Sequence, residues 1–487
     1  MMGHAWLKHR EALLALVIIL MIGAIGSRAP SFVSPGNLVE MFNDTAILII
    51  LALGQMMVLL TKGIDLSMAA NLALTGMIVA LLNAHYPGIP VVALLALATL
   101  LGLLMGMING LLVWRLGIPA IVVTLGTMSI YRGIIFLLTD GGWVNSHQMS
   151  ADFLSLPRSP LLGLPLLSWC AIAALLLVGY FLRYSRTGRA LYTAGGNATA
   201  AYYTGINAGK MQFVSFCLSG ALAGFCGYLW ISRFAVAYVD VANGFELQVV
   251  AACVIGGIST MGGSGRVLGC LCGLFNGLLV TRFNLSSIVI TIGTMSLYRG
   301  ITYILLGDQA LNHYPESFAW FGQGYVWGAL SFEFALFILL AAAFTFLLHK
   351  TNFGRRTYAI GNNPTGAWFS GINVKRHNLV LFALVGLMAG LAAVLLTSRL
   401  GSTRPTLAMG WELAVVTMAV LGGVNILGGS GSMPGVIIAA FLMGLVTFGL
   451  SLLNVPGIVM SVIIGAMLIV VISLPIITRR MMQRRRC

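Results

Sequence analysis

Two stretches of this sequence are nearly identical: TLGTMSIYRGI at Thr124–Ile134 and TIGTMSLYRGI at Thr291–Ile301. Their first residues are 291 − 124 = 167 positions apart. The residues before them match as well, with GMINGLLVWR at Gly106–Arg115 and GLFNGLLVTR at Gly273–Arg282. Self-similarity at a fixed spacing indicates that one structural unit occurs twice in the chain.

Two further blocks extend the repeat toward the C-terminus. TGRALYTAGGNATAAYYTGIN at Thr187–Asn207 matches FGRRTYAIGNNPTGAWFSGIN at Phe353–Asn373. GFELQVVAACVIGGISTMGGSG at Gly244–Gly265 matches GWELAVVTMAVLGGVNILGGSG at Gly410–Gly431, a spacing of 410 − 244 = 166. The nearly constant spacing over separate blocks excludes a chance similarity between short motifs.

The two copies differ in extent. The residues before Gly106 have no counterpart in the second copy, and the residues after Gly431 have none in the first. We therefore expect two domains. Residues 1–270 form a first copy without its C-terminal end, and residues 271–487 form a second copy without its N-terminal part.

The composition is that of a chain in contact with lipid. Of the 487 residues, 59% are hydrophobic and only 8% are charged, whereas soluble domains carry about 25% charged residues. Apolar runs such as WCAIAALLLVGYFL approach the ~20 residues of a bilayer-spanning helix. Backbone groups in lipid are satisfied within their own segment, which favours helices. We therefore predict an all-α, polytopic integral membrane protein with tandem incomplete repeats and about 13–15 hydrophobic segments.

The formal net charge of +15 is concentrated between apolar runs and in the tail RRMMQRRRC. Examples are RYSRTGR at Arg183–Arg189 and HKTNFGRR at His349–Arg356. Basic loops are typical of the cytoplasmic side of a membrane, so these loops and both termini are predicted to be cytoplasmic. The basic residues lie between the predicted spans and do not form one patch. We therefore expect membrane lipid as a partner, and not nucleic acid.

No sequence pattern is typical of a metal, cofactor or catalytic site. The seven cysteines and seven histidines are scattered, without paired ligand spacing. The nearest approach to a phosphate-binding loop is TGINAGKM, in which Gly205 and Gly209 are four residues apart and a methionine follows Lys210. A phosphate loop needs glycines five residues apart and a Ser or Thr after the lysine. We therefore expect no metal, cofactor, catalytic residue or nucleotide site in this chain.

Three ordered motifs resemble those of the permease subunits of bacterial ABC importers for ribose-type sugars, a family that also serves a furanosyl autoinducer. The motifs are GIDLS at Gly63–Ser67, the segments Gly195–Asn207 and Gly361–Asn373, and the glycine-rich loops Gly256–Gly265 and Gly422–Gly431. The resemblance covers nearly the whole chain. Members of that family are separate chains that each look like one copy, whereas here two truncated paralogous permeases look fused in frame.

The resemblance implies a transmembrane permease subunit of an ABC-type importer for a monosaccharide or similar small solute, and not an enzyme. It implies three partners in or at the bacterial inner membrane: a cytoplasmic ATP-binding subunit, a periplasmic sugar-binding protein and a second permease chain. Two alternatives stay open. One is a secondary transporter with internal repeats, and the other is a non-functional fusion of two adjacent sugar permeases.

The resemblance also implies that Thr187–Asn207 and Phe353–Asn373 couple the permease to its ATPase. Matching positions assign this role to Gly188, Gly195, Asn197, Gly205, Gly354, Gly361, Asn363 and Gly371. Asn197 is expected to cap a short helix over NATAAYYTGI. The alternative is an ordinary cytoplasmic loop, which the recurrence of the same spacing in the second copy disfavours.

Three acidic residues next to apolar sequence are candidates for the transport pathway: Asp65, Glu246 and Glu412. An ionisable residue at membrane depth is costly and therefore suggests a function. The alternative for Asp65 is an ion pair with Lys62 or a cap on the following helix. The alternative for the two glutamates is an interaction with the dipole in the first turn of a helix.

The topology at the join between the copies follows from the charges. Arg266 and Arg282 are both expected in the cytoplasm, so a full crossing between them would invert the second copy. The fifteen residues VLGCLCGLFNGLLVT would extend about 22 Å as a helix, against an apolar core of about 30 Å. We expect this segment to be re-entrant or to lie at the cytoplasmic face, which keeps Phe353–Asn373 on the cytoplasmic side.

Overall fold

The chain is a set of apolar helices joined by short turns and two-residue strands. The computed structural model describes residues 22–23, 25, 27, 33–196, 198–255, 276, 279–281, 287–307, 309–312, 314, 316–326, 330–425 and 428–484. The re-entrant course predicted for residues 266–282 falls mostly outside these residues and stays a prediction. Asn197 also falls outside them.

The first copy is mainly helical. Its helices are α1 (Pro35–Leu60), α2 (Met68–His85), α3 (Val91–Leu111), α4 (Ala120–Thr139), α5 (Ala151–Ser155), α6 (Leu166–Tyr184), α7 (Arg186–Gly196), α8 (Ala198–Tyr203), α9 (Ala208–Phe234) and α10 (Phe245–Ile255). Its strands are β1 (Val144–Asn145), β2 (Pro160–Leu161), β3 (Leu164–Pro165) and β4 (Val236–Ala237). A π-helical turn covers Leu112–Leu116, and 3₁₀ turns cover Ser146–Gln148 and Leu156–Arg158.

The second copy follows the same order of elements from its counterpart of α4 onward. Its helices are α11 (Ser287–Leu306), α12 (Glu316–Gln323), α13 (Phe332–Lys350), α14 (Asn352–Asn362), α15 (Pro364–Phe369), α16 (Val374–Leu400), α17 (Trp411–Leu421), α18 (Met433–Leu452) and α19 (Gly457–Arg484). Its strands are β5 (Leu311–Asn312), β6 (Tyr325–Val326), β7 (Leu330–Ser331) and β8 (Ser402–Thr403).

Nine helices in the described part of the chain are long and apolar enough to cross a membrane. They are α1, α2, α3, α4, α6 and α9 of the first copy and α13, α16 and α18 of the second. The β-structure of the described residues consists of isolated pairs of two-residue strands. The prediction of an all-α, multi-pass membrane protein is therefore confirmed.

Backbone chemistry explains the sharp connection between α3 and α4. The π turn ends at Gly117, whose φ of +72° lies in the left-handed region that glycine adopts without strain. Pro119 directly precedes α4 and has a φ of −54°. The proline ring favours an extended conformation in the preceding residue and fixes its own φ near the value of a helix. Arg115 is thereby placed at the end of the bundle where α3 turns into α4.

Helix α9 is the centre of the first copy and packs against α1, α2 and α3. Its contact with α3 is made backbone to backbone. A Cβ atom on Gly220 would lie 2.7 Å from Cα of Gly106, and one on Gly224 would lie 2.8 Å from Cα of Gly102. Small residues let helices approach closely in a membrane, where packing takes over from the hydrophobic effect. These glycines therefore fix the crossing on which the first copy is built.

The two copies share a strand pair that the sequence comparison does not reveal. β1 pairs antiparallel with β4, placing Val144 opposite Ala237. β5 pairs with β8 in the same register, placing Leu311 opposite Thr403. The spacings between these partners, 311 − 144 = 167 and 403 − 237 = 166, equal those of the sequence blocks. The repeat is therefore one of structure as well as of sequence.

The arginine of the repeated YRG motif has the same task in both copies. Nη1 of Arg132 donates to the carbonyl oxygens of Val239 at 2.7 Å and Val241 at 2.6 Å. Nη1 of Arg299 donates to the carbonyl oxygen of Pro405 at 3.1 Å. Each arginine thus ties α4 or α11 to the loop that follows the long central helix of its copy.

The copies differ in how well their spanning helices are covered. In the first copy, 28–72% of the apolar window of each spanning helix is buried, whereas α13, α16 and α18 reach only 0–11%. The second copy has no sequence counterpart of α1 and α2, which supply much of the cover in the first. The first copy therefore holds the larger apolar core, and the second presents most of its helix surface outward.

Candidate functional site

A buried hydrogen-bond network surrounds Asp65 in the turn between α1 and α2. Oδ1 of Asp65 accepts from the backbone N–H of Ser67 at 3.0 Å and from its hydroxyl at 2.7 Å. Oδ2 accepts from the hydroxyl of Ser219 on α9 at 3.2 Å, and the amide of Asn109 on α3 donates to the Ser67 hydroxyl at 2.8 Å. Since Asp65 is only 2% exposed, these neutral donors take the place of water around its side chain.

The ion pair between Asp65 and Lys62 that the sequence left open is not formed. Lys62 is exposed and has a φ of +62°, while the donors to Asp65 are serines. The bond from the N–H of Ser67 closes a turn just before α2, whose N-cap residue is Ser67, so Asp65 does not itself cap that helix. The carboxyl group therefore sits inside the bundle without a cation beside it among the described ion pairs.

The turn that carries Asp65 is fastened to two other helices. The amide of Gln212 on α9 donates to the carbonyl oxygen of Thr61 at 3.0 Å, and the Thr61 hydroxyl lies 3.2 Å from that of Ser215. The hydroxyl of Thr124 on α4 donates to the carbonyl oxygen of Ile64 at 3.3 Å. Backbone groups in this non-helical turn thus find partners within the protein, as they must at membrane depth.

Several buried amide side chains near this network have polar atoms that can form further hydrogen bonds. Both polar atoms of Gln55 and the Oδ1 atoms of Asn71 and Asn109 lack a partner among the described residues. Nδ2 of Asn71, one turn after Ser67 on α2, donates to the carbonyl oxygen of Gly102 at 3.2 Å. Buried polar groups without partners are uncommon. The interior faces of α1, α2 and α3 therefore offer acceptors and donors suited to water or to the hydroxyl groups of a small solute.

The two candidate glutamates have electrostatic partners outside this network. Glu246 and Glu412 are the second residues of α10 and α17, in the first helical turn as predicted. Glu246 interacts electrostatically with Arg132 and with Glu412. Glu246 is buried and Glu412 is exposed. Neither glutamate shares a described hydrogen-bond partner with Asp65, so the three acidic candidates do not form one site.

The segment Thr187–Asn207 folds as α7 and α8 against the end of α1. A Cβ atom on Gly195 would collide with the carbonyl group of Leu60, so this contact requires glycine. A Cβ atom on Gly188 would collide with the carbonyl oxygen of Phe181, where α6 turns into α7. Gly205 has a φ of +79°, and no described atom lies within 4 Å of its Cβ position, so it serves the turn and not the packing.

The segment Phe353–Asn373 repeats this arrangement as α14 and α15. Gly354 packs on the last turn of α13, Gly361 packs on the loop after α17, and Gly371 has a φ of +81°. The side chain of Asn363 caps α15 by accepting from the backbone N–H three residues later at 2.9 Å. In both copies, the glycines assigned to coupling lie at close backbone contacts or at a left-handed turn.

Contacts place both segments at the same end of the bundle. The hydroxyl of Tyr358 donates to the carbonyl oxygen of Gly431 at 2.9 Å, which ties the second segment to the loop after α17. Val420 in the last turn of α17 packs against an apolar cluster of the first copy, formed by Val58, Val113, Ile118, Val122, Val123 and Phe216. This cluster adjoins Leu60, which the first segment contacts, and the π turn that carries Arg115.

Exposed aromatic pairs on α8 and α15 are a feature that the sequence reasoning missed. Tyr202 and Tyr203 end α8, and Trp368 and Phe369 occupy the matching positions of α15. Tyr203 is 84% exposed and Phe369 is 77% exposed. Large apolar side chains exposed at a matching place in both copies are typical of a surface that meets a partner. Aligning the copies for aromatic type, and not for identity, would have found them.

Comparison with known proteins agrees with this organisation. The family described as "Branched-chain amino acid transport system / permease component" matches residues 37–266 and again residues 263–472. The Autoinducer 2 import system permease protein LsrC of Salmonella typhi is 35% identical over 269 residues, which are 55% of this chain and 76% of that protein. The LsrC protein of Escherichia coli (strain K12 / DH10B) is 36% identical over 267 residues, 55% of this chain and 77% of that protein. No solved structure matches. The chain therefore belongs to this family of membrane transport permeases, whose unit it contains twice.

Proposed function

We propose that this protein is the permease subunit of an ABC-type importer for a monosaccharide or a similar small, hydroxyl-rich solute. The observation that carries the proposal is the pairing of a buried polar network around Asp65 with two matching docking segments at one end of the helices. The relatives named for autoinducer 2 import support a sugar-like solute. Family membership argues against the alternative of an ion-coupled secondary transporter with internal repeats.

The first docking segment is in direct contact with the turn that carries Asp65. Gly195 touches Leu60, and the amide of Gln212 holds the carbonyl oxygen of Thr61, four residues before Asp65. A displacement of the segment by an ATP-binding partner therefore moves this turn, and through Ser219 it moves the network inside the bundle. This path supports alternating access, in which closure of the ATP-binding partner reshapes the solute path.

The proposed orientation places the docking segments in the cytoplasm of a bacterium and the permease in its inner membrane. Arg115, Arg183 at the end of α6 and Arg186 at the start of α7 lie at the same end as these segments, as the positive-inside rule requires. Both termini are then cytoplasmic. The partners are a cytoplasmic ATP-binding subunit, a periplasmic sugar-binding protein and a second permease chain. The chain itself contributes no catalytic residue.

Changing the exposed aromatic surface should uncouple the permease from its ATP-binding partner. Tyr203→Asp is expected to lower the ATPase activity of the complex in proteoliposomes at least about tenfold, since a charge replaces an apolar anchor of roughly 2 kcal/mol or more. Insertion and thermal stability should stay unchanged, because the side chain is mostly exposed. Tyr86→Asp, at an exposed tyrosine just after α2, is the matched control and should leave activity intact. Gly205→Arg should also uncouple the permease from its ATP-binding partner, because an arginine is strained at the positive φ of this turn.

Two results would contradict this coupling role. One is normal ATPase activity in Tyr203→Asp and Gly205→Arg together. The other is ATP hydrolysis by the purified permease chain without an ATP-binding partner, because the chain has no phosphate loop.

The orientation has its own test in side-specific labelling. Asn363→Cys, in a background without native cysteines, is expected to react with a membrane-impermeant maleimide only after the cytoplasmic face is opened, because Asn363 is exposed on the second docking segment. Asp140→Cys, at the exposed far end of α4, should react from the periplasm in intact cells. Periplasmic labelling at position 363 would refute the shared cytoplasmic placement of the segments.

A further inference from the structure

The last helix of the second copy packs on a helix of the first copy. Helix α19 lies along α4, and a Cβ atom on Gly465 would be 3.1 Å from Cβ of Ser129. One turn further along α4, a Cβ atom on Gly133 would be 3.2 Å from Cβ of Val462 and would overlap one of its methyl groups. Since later residues of α4 meet earlier residues of α19, the two helices run antiparallel.

The groove on α4 is lined by residues that are small and completely covered. Gly126, Ser129 and Gly133 are buried, and a Cβ atom on Gly126 would lie 2.8 Å from the Ile469 side chain and 2.9 Å from the carbonyl oxygen of Gly465. Glycines on both helices thus allow a close approach, as in other small-residue crossings of membrane helices.

The counterpart helix of the second copy has the same groove without the cover. Helix α11 carries Gly293, Ser296 and Gly300 at the positions that match the three groove residues of α4. All three lie in the stretch Thr291–Ile301, which is nearly identical to Thr124–Ile134. All three are exposed, and no described atom lies within 4 Å of a Cβ atom on either glycine. Two almost equal grooves therefore exist in one chain, and α19 occupies the one on the first copy.

The repeat explains why the groove on α4 needs a helix from elsewhere. The matching course of the first copy ends near residue 270, before any counterpart of α18 or α19. The first copy consequently has a groove for a terminal helix but no terminal helix of its own. The second copy brings such a helix, although it lacks the N-terminal helices that would complete a unit around α11.

We infer that α19 serves as the terminal helix of the first copy, so that residues 33–255 and 457–484 pack together as one permease unit. Residues 287–452 are then an appended partial unit. This inference goes beyond the proposed transport role, and it holds or fails whichever solute is carried.

Disulfide trapping tests the inference with a matched control inside the chain. In a background without native cysteines, Gly133→Cys is combined with Val462→Cys, which removes the overlapping methyl group and leaves the two Cβ atoms close to disulfide distance. Membranes are oxidised before extraction, and the cross-link is detected by cutting at a protease site inserted after Gly163, an exposed turn between the two positions. We expect an intramolecular cross-link in most of the protein.

The control pair is Gly300→Cys with Val462→Cys, with the same detection and the protease site after Gly401, another exposed turn. It should give no cross-link, because α19 does not cover α11. An intramolecular cross-link in the control pair instead of the first would overturn the inference. Cross-linked dimers from the first pair would also overturn it, since a second copy would then supply the helix, and so would folded protein without any cross-link.

A second pair of variants tests the groove without cysteines. Gly126→Leu fills the covered groove and should reduce the fraction of extracted protein that survives heating as a monodisperse peak at least about threefold. Gly293→Leu places the same side chain on the open groove of α11 and should leave that fraction unchanged. Equal behaviour of the two variants would contradict the occupation of α4 by α19, independently of any transport measurement.

Discussion

Replacing Gly102 with leucine is expected to remove most of the folded protein. Gly102 lies where α3 crosses α9, and its Cβ position is 2.6 Å from Cα of Gly224. Overpacking in a core costs about 1–3 kcal/mol when side chains can rearrange. Here the obstacle is backbone, so the helices have to separate, and we expect a cost at or above the upper end. The measurement is the yield of monodisperse, detergent-extracted protein in size-exclusion chromatography, which should fall about tenfold.

Gly179→Leu is the matched control for this loss. Gly179 lies inside α6, and no described atom is within 4 Å of its Cβ position. Leucine there gains roughly 1 kcal/mol of helix propensity over glycine, and its Cβ atom meets no described atom. Its yield should equal or exceed that of the unchanged protein. Comparable losses in both variants would show that added bulk in a spanning helix, and not the α3–α9 crossing, limits folding.

Asp65→Asn is expected to reduce uptake at least about tenfold while the protein remains inserted. The amide has nearly the same volume, but its NH₂ group faces donors from Ser67 or Ser219 that now have no acceptor. A buried donor left without an acceptor costs about 1–3 kcal/mol, and a tenfold rate change corresponds to about 1.4 kcal/mol. The measurement is uptake of radiolabelled ribose and of autoinducer 2 in cells that also carry the ATP-binding and sugar-binding partners.

The control for Asp65 is another carboxylate of the same copy. Asp44 has a side chain that is 66% exposed and pairs with Arg233, whose side chain is 14% exposed. Arg233 also donates to the carbonyl oxygen of Asn43 and keeps that bond when Asp44 is changed, so Asp44→Asn should leave uptake within about twofold. Normal uptake by Asp65→Asn would restrict Asp65 to its structural part in the turn before α2.

Much of the fold follows from the sequence, because its signals are local. Apolar length predicts the spanning helices, and fixed spacing predicts the duplication, since each depends on residues close together or on direct comparison. The crossing of α3 and α9 does not follow in this way. Glycines occur throughout the chain, and only the fold shows that Gly102 and Gly224, 122 residues apart, touch each other.

The sequence predicted individual residues of the candidate site, but not which of them contact each other in the fold. The position of Asp65 in GIDLS suggested a polar site, and the structure adds Asn109 to it through the bond from its amide to Ser67. The contact with Ser219 joins residues 154 positions apart, which no spacing rule detects. Lys62 looked like a natural partner for Asp65 by proximity, but the left-handed backbone at Lys62 accompanies a side chain in solvent.

The packing of α19 on α4 fixes an order of events during synthesis. Helix α4 ends at Thr139 and α19 begins at Gly457, so 456 − 139 = 317 residues are made between them. At about 5–20 residues per second this takes roughly 16–63 s. For that interval, the groove of Gly126 and Gly133 faces lipid or whatever helix reaches it first. The first half of this chain therefore finishes folding only after the ribosome has completed the second, and premature termination anywhere in the second copy leaves the first copy open as well.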